Sequence, residues 1–229
     1  MQIDDLIKLG AEIICDDINS RGSGFIARRN GLIGTNWHVV HDRRRGTASQ
    51  NIRVRTYNSQ EFQASILNAE ERNDFAVLRV NYSFESEPTY GDFVLTKPFT
   101  EIFFVGRGLD VPDISLHRGW ISAKTQKDGI DVLQIDGPIN QGNSGGPVFT
   151  ADGKLIGIIT QTEAKFNDEL LELRQYLADV QQQGSSITMF GVNPLEVFRQ
   201  MIYWLNRNRN VGIGYAFSID YLKERLKSL

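Results

Sequence analysis

Ser144 lies in a segment rich in glycine and proline, residues 138–147, with the sequence PINQGNSGGP. Glycine reaches positive φ and lets the main chain approach a ligand closely, at an entropic cost on folding. The segment therefore predicts either a turn between two strands or a nucleophile loop. In the second case the Ser144 hydroxyl would attack, and the amides of Gly142 and Ser144, on either side of Asn143, would stabilise an oxyanion. The letters also fit the G-x-S-x-G motif of α/β-hydrolases.

The order of the histidines decides between these classes. A serine nucleophile needs a base, usually a histidine that a carboxylate orients. The three histidines, His38, His41 and His117, all precede Ser144. Since an α/β-hydrolase places its histidine after its serine, that class is excluded. The subtilisin order Asp, His, Ser stays formally open through the aspartates before residue 18, although its α/β scaffold conflicts with the hairpins described below. The order His, Asp, Ser remains.

Composition excludes other classes of protein. The 229 residues are enough to bury one sizeable core. With 25 basic and 28 acidic residues, the chain lacks the basic surface of a nucleic-acid-binding protein. Cys15 is the only cysteine, so intramolecular disulfides and thiolate zinc sites are ruled out. The N-terminal MQIDDLIKLG carries acids where a secretory signal carries bases, and no long apolar stretch follows it. We therefore expect a cytoplasmic protein that binds neither nucleic acid nor membrane.

Short strands joined by turns dominate the first 160 residues. Asn30-Gly31, Asp128-Gly129 and Asp152-Gly153 each separate two apolar or alternating runs, which is typical of a β-hairpin with a type I′ turn. Other runs with strand character are IRVRTY (52–57), FQASIL (62–67), FAVLRV (75–80), EIFFVG (101–106) and IGYAF (213–217). The sequence predicts an all-β fold built from antiparallel barrels or a sandwich.

Helical periodicity interrupts this pattern after residue 163. Apolar residues recur every three or four positions over 166–180, which predicts a helix. A second helix should begin at Pro194, with Asn193 as its N-cap and Glu196 at its third position. Shorter helices are predicted for the first nine residues and for residues 221–229.

Several blocks, in this order, resemble the HtrA-type branch of the trypsin-like serine proteases. They are GSGFI (22–26), GLIGTNWHVV (31–40), NDFAVL (73–78), RGWIS (118–122), NQGNSGGP (140–147) and GIGYAF (212–217). The resemblance covers residues 11–162 and 211–226. It implies a chymotrypsin-like fold of two packed, six-stranded antiparallel β-barrels, with the site in the cleft between them.

The resemblance also implies roles for single residues. His38 would be the general base, Asp74 the carboxylate that orients it, and Ser144 the nucleophile of a serine endopeptidase that needs no metal or cofactor. The segment Gly142, Asn143, Ser144 would supply the oxyanion hole. Protein or peptide substrate would contact Ile139, Thr160, Gln161 and Thr162.

The resemblance also implies a substrate specificity. Ile139 would form the floor of the pocket and favour a small or medium aliphatic side chain before the cleaved bond. Residues 160–162 would pair with extended substrate as with an added strand. From the residues alone, Asp74 could instead cap a strand, with Glu70 or Glu71 as the orienting carboxylate. His41 and His117 match no motif position and are expected to be ordinary structural or surface histidines.

One protease domain is then expected over residues 1–229, without a PDZ domain. It would comprise an N-terminal barrel (11–90), a C-terminal barrel (91–217) that carries a helical insertion (163–210), and a C-terminal helix (218–229). The insertion would either stabilise the barrel, or gate the pocket and dock a regulatory protein partner. A catalytically silent module that binds peptides is the alternative function, and the chain is either a single-domain enzyme or the protease part of a longer protein.

Asn143 departs from the digestive relatives of this family, which carry an aspartate before the nucleophile. That aspartate pairs with a newly cleaved N-terminus. Because an amide cannot form this ion pair, we expect activity without N-terminal cleavage.

Overall fold

The structure is a computed structural model. It describes residues 3–43, 45–108, 111, 113–160, 176, 179, 193–207 and 212–229. The chain forms two compact units, residues 1–161 with 212–229, and residues 162–211. The first unit contains both barrels and the site.

The first barrel is built from β1 (Gly10–Cys15), β2 (Ser20–Arg28), β3 (Leu32–Thr35), β6 (Ile52–Thr56), β7 (Glu61–Glu70) and β8 (Phe75–Val80). These six strands close in the order β1-β2-β3-β8-β7-β6. Along β6, Ile52, Val54 and Thr56 are buried and the arginines between them are not, as expected for a strand with one face on a core. Between β3 and β6 lie helix α1 (Trp37–Val40) and a ribbon of β4 (His41–Asp42) and β5 (Thr47–Ala48).

The second barrel is built from β10 (Glu101–Gly106), β11 (Ser115–Lys127), β12 (Ile130–Asp136), β13 (Pro147–Thr150), β14 (Lys154–Thr160) and β15 (Ile213–Ser218). The strand order is β13-β10-β11-β12-β15-β14, and pairing of β13 with β14 closes the sheet. The short β9 (Thr89–Tyr90) adds to β14 in parallel. The core of the second barrel contains three fully buried side chains, those of Ile102, Phe104 and Leu133. The predicted all-β fold of two six-stranded antiparallel barrels is confirmed.

All three predicted hairpins are present, but their turns differ. Asp128 and Gly129 have φ of 53° and 76°, the pair of positive values that a type I′ turn requires. At the other two turns only Gly31 and Gly153 have positive φ. The type I′ prediction is therefore wrong at these two turns, because in each of them only the glycine of the predicted pair has positive φ.

Helices complete the two units. The N-terminal segment Ile3–Leu9 is a 3-10 helix, and α3 (Asp220–Leu226) ends the first unit. In the second unit, α2 (Pro194–Arg207) begins as predicted, since the Asn193 side chain accepts the Leu195 amide at 3.0 Å. Of the predicted helix 166–180, only residues 176 and 179 are described, and both are helical. No helix among the described residues is long and apolar enough to cross a membrane.

Candidate active site

His38 and Asp74 meet on one face of the first barrel. His38 lies in α1, directly after β3, and Asp74 lies in the turn before β8, which pairs with β3. His38 Nδ1 is 2.8 Å from Asp74 Oδ2 and 3.0 Å from Oδ1. Because a carboxylate accepts hydrogen bonds, Nδ1 carries the proton in this pair. Nε2 of a neutral His38 is then left to accept a proton.

The Asp74 carboxylate is buried and held by donors from both barrels. Its side chain is 6 % exposed. The His38 amide donates to Oδ1 at 3.0 Å, and the Thr160 hydroxyl donates to Oδ2 at 2.9 Å. The main chain of Asp74 has φ 45°, and its carbonyl accepts Asn36 Nδ2 at 2.7 Å. These contacts fix the carboxylate, which would otherwise be costly to bury.

Two of these partners were not anticipated in this role. Thr160 is expected from the sequence to pair with substrate, and the structure shows in addition that its hydroxyl donates to Asp74 at the end of β14. Asn36, the residue before α1, is not among the residues predicted for the site. Its position two residues before His38 in the same sequence block could have suggested a role near Asp74. Gln161 and Thr162 lie outside the described residues.

Ser144 lies between β12 and β13, in a segment that we call the nucleophile loop (residues 140–146). The residue is 4 % exposed, and its hydroxyl makes no hydrogen bond in the described part of the chain. The contact through which His38 would take the serine proton is therefore not formed in this structure. Such contacts often tighten only when substrate binds.

The main chain on both sides of Ser144 has a defined conformation. Gly142 has φ 96°, and a Cβ atom there would overlap the carbonyl oxygen of Arg107, so only glycine fits. Among the described residues, no acceptor faces the amides of Gly142 and Ser144. The Asn143 carbonyl accepts the Gly146 amide at 2.9 Å. Because N–H and C=O of one trans peptide point in opposite directions, the Ser144 amide is turned away from Gly146 and is available to an oxyanion.

The Asn143 side chain is fully buried and closes the loop on itself. Its Oδ1 accepts the Asn140 amide at 2.8 Å, and its Nδ2 has no partner among the described residues. The carboxamide thus supplies internally one contact that shapes the loop. Activity without N-terminal cleavage stays a prediction.

Ile139 lies beside the nucleophile loop and is buried at 6 % exposure. A Cβ atom at Gly214 on β15 would overlap the Ile139 side chain, so the glycine makes room for it. The Ile139 side chain therefore fixes an apolar surface between β15 and the nucleophile loop.

The alternative residues lie elsewhere. Glu70 accepts Asn73 Nδ2 at 2.8 Å and is 3.9 Å from Arg225. His41 stacks on Trp37 with ring centroids 4.6 Å apart, and His117 stacks on Phe104 at 4.9 Å. Burial lowers the pKa of His117.

Comparisons with known proteins identify the family and the fold of the chain. A family model described as a trypsin-like peptidase domain matches residues 22–158. Serine protease HTR4 of Rattus norvegicus is 31 % identical over 179 residues, which is 72 % of this chain and 35 % of that protein. A probable periplasmic serine endoprotease DegP-like of Halomonas elongata is 35 % identical over 156 residues, which is 66 % of this chain and 31 % of that protein. The chain thus spans about a third of the length of these curated relatives.

A solved structure, HtrA-type protease AlgW with tripeptide, has the same fold. It aligns with TM-score 0.70 and 21 % identity, over 100 % of this chain and 63 % of that one. The resemblance to HtrA-type proteases is therefore confirmed.

The expectation of a cytoplasmic protein is wrong, because DegP-like relatives of this chain are named as periplasmic. The single cysteine gave no information on this point. Cys15 is fully buried, and burial raises the pKa of its thiol to about 11. A shielded, protonated thiol is chemically compatible with oxidising surroundings.

Proposed function

Since the chain belongs to the trypsin-like peptidase family, we propose that it is a serine endopeptidase with His38, Asp74 and Ser144 as its triad. The His38–Asp74 pair, buried and 2.8 Å apart, is the observation that carries this proposal. Ser144 Oγ would attack the peptide carbonyl carbon while His38 Nε2 takes its proton. The same proton would then pass to the leaving amine, and water would release the acyl group by the reverse sequence.

The amides of Gly142 and Ser144 would stabilise each tetrahedral oxyanion. They carry no acceptor within the described residues, so an oxyanion would not have to displace a protein group. Asp74 would hold His38 in the productive tautomer, and Thr160 would hold Asp74.

We propose protein or peptide substrates with a small or medium aliphatic residue before the cleaved bond. Ile139, packed against Gly214, supports this preference because it offers an apolar surface and no charge. Extended substrate would pair along residues 160–162, which start at the last residue of β14. Clear preference for arginine or lysine in a peptide library would contradict this assignment.

A latent or silent peptide-binding module is the second candidate function. The Ser144 hydroxyl without a hydrogen bond favours it. Regulation by the insertion is a related proposal, supported by three exposed apolar side chains on α2, Val197, Phe198 and Met201. Deleting residues 165–208 should change peptide cleavage or partner binding, and an unchanged enzyme would rule out regulation.

We further propose a periplasmic or secreted location, as the names of the DegP-like relatives suggest. The proposed division is a barrel over 11–90, a second barrel over 91–217 and a terminal helix over 218–229.

The test is labelling of the purified chain with a fluorophosphonate, followed by mass mapping. We expect an adduct on Ser144 that is lost in Ser144→Ala and His38→Ala. Ser86→Ala, which removes an exposed serine hydroxyl, is the matched control and should label normally. A folded wild-type chain that does not label would contradict the endopeptidase and favour the binding module.

A further inference from the structure

We infer that Ser23 on β2 is a positioning residue that sets the nucleophile loop from the first barrel, an inference that rests on the proposed function. Ser23 is fully buried. It makes three hydrogen bonds across the barrel interface, with Arg107, Gly142 and Ser144, while its carbonyl accepts the Thr35 hydroxyl at 2.7 Å. No other function has been assigned to this side chain above.

The direction of these bonds is fixed by chemistry. A hydroxyl has one proton to donate and two lone pairs that accept. The Arg107 amide can only donate, and it reaches Ser23 Oγ at 2.9 Å. The Gly142 carbonyl can only accept, and it lies 2.6 Å from the same oxygen. The Ser23 hydroxyl therefore accepts the Arg107 amide, directly after β10, and donates its only proton to the Gly142 carbonyl in the nucleophile loop.

Ser23 restrains the peptide groups on both sides of the Ser144 amide. Its hydroxyl holds the carbonyl of Gly142, which belongs to the peptide group before residue 143. Its own amide donates to the carbonyl of Ser144 at 2.7 Å, which belongs to the peptide group after residue 144. The peptide group between them carries the Ser144 N–H, one of the two oxyanion donors. With both neighbours restrained, this donor cannot rotate freely.

A buried ion pair fixes the far side of this arrangement. Glu12 on β1 is 1 % exposed and pairs with the guanidinium groups of Arg55 and Arg107. Arg107 Nε also donates to the carbonyl of Val111 at 2.7 Å. The Arg107 main chain, which donates to Ser23 and abuts Gly142, is thereby anchored to the first barrel.

The expected effect of Ser23→Ala is on the transition state. Loss of the hydroxyl leaves the Gly142 carbonyl and the Arg107 amide without their partner, so the loop can rotate its amides away from the oxyanion. Removing an oxyanion donor outright costs about 10²–10³ in kcat, and displacing one should cost somewhat less, about 10- to 100-fold. KM should change less than about twofold, because substrate pairing along β14 is untouched.

A pair of matched inhibitors separates this role from a loss of folding. The Ser144 oxygen can add to the carbonyl carbon of a peptide aldehyde, which turns the carbonyl oxygen into an oxyanion. The peptide alcohol of the same sequence has no carbonyl at that position and cannot form this adduct. Ser23→Ala should weaken binding of the aldehyde by about the factor by which kcat falls, and it should leave binding of the alcohol unchanged. Ser23→Cys, which keeps a weak donor, should fall between Ser23→Ala and the wild type.

Ser49→Ala is the matched control. Ser49 is also a buried serine, and its hydroxyl donates to Asp17 at 2.6 Å, away from the nucleophile loop. It should lower stability to urea without changing the ratio of aldehyde to alcohol affinity. Equal losses of both inhibitors in Ser23→Ala, or kcat within twofold of wild type, would overturn the positioning role.

Hydrogen exchange tests the role of Ser23 separately from the endopeptidase assignment, because it does not depend on activity. Amides of residues 140–146 should exchange faster in folded Ser23→Ala than in the wild type or in Ser49→Ala. If this occurs but the wild type neither labels nor cleaves, the loop restraint stands and the endopeptidase assignment fails. If the wild type cleaves and exchange in the loop is unchanged, the role of Ser23 is refuted.

Discussion

Thr160→Val tests whether the second barrel stabilises the Asp74 carboxylate. The substitution keeps the shape of the side chain and removes the hydroxyl that donates to Oδ2 at 2.9 Å. Asp74 is 4 % exposed, so water does not easily replace this donor. A hydrogen bond to a charged group contributes about 1.5–3 kcal/mol to stability. We therefore expect unfolding in urea to report a loss of about 2 kcal/mol.

Activity should fall less than it would on loss of Asp74 itself. The His38 amide and ring still contact the carboxylate in Thr160→Val, so its orientation is only partly lost. We expect kcat/KM to fall about tenfold, which corresponds to about 1.4 kcal/mol.

Thr150→Val is the control, because it removes the same kind of bond at the surface. The Thr150 hydroxyl donates to Asp152, whose pKa is lowered by Lys154 and by this hydroxyl. This exposed pair should contribute at most about 0.5 kcal/mol, with no effect on activity. If Thr160→Val is as stable and active as Thr150→Val, the proposed support of Asp74 is wrong.

Three further outcomes are expected. Because burial lowers the pKa of His117, the unfolded chain binds more protons there, and stability should fall as pH drops below about 6.5. His117→Phe, which keeps a ring against Phe104, should reduce that fall between pH 7.5 and 5.5 in urea titrations, and an unchanged slope would count against it. Asn143→Asp would place an unpaired carboxylate at a fully buried position, so it should lose about 3 kcal/mol of stability at pH 7; equal unfolding midpoints would refute this. Cys15, with its pKa raised to about 11 and its side chain buried, should resist thiol reagents at pH 8 until urea unfolds the chain; rapid labelling of the folded chain would contradict this.

Both barrels contribute to each half of the proposed machinery. The second barrel reaches Asp74 through Thr160, and the first barrel reaches the nucleophile loop through Ser23. Each contact joins one barrel to the other. Changes to these two side chains should therefore alter the alignment of the proposed triad and of the nucleophile loop.

The sequence by itself determined the parts of the fold that depend on local order. Short runs of apolar residues placed β8 and β10 at the residues observed, and Asn193, Pro194 and Glu196 marked the start of α2. The order of His38, Asp74 and Ser144 along the chain was enough to exclude the α/β-hydrolases. Periodicity and capping are properties of neighbouring residues, and the order of the motif residues can be read directly along the chain, so no tertiary information was needed.

Only the tertiary structure decided which side chains meet across the barrels. Ser23 precedes Gly142 by 119 positions, and Asp74 precedes Thr160 by 86, so no local pattern links them. A serine between two glycines and a threonine at the end of an apolar strand have many possible partners. Closure of the two barrels selects one acceptor for each hydroxyl, the Gly142 carbonyl for Ser23 and the Asp74 carboxylate for Thr160, and burial favours such pairing.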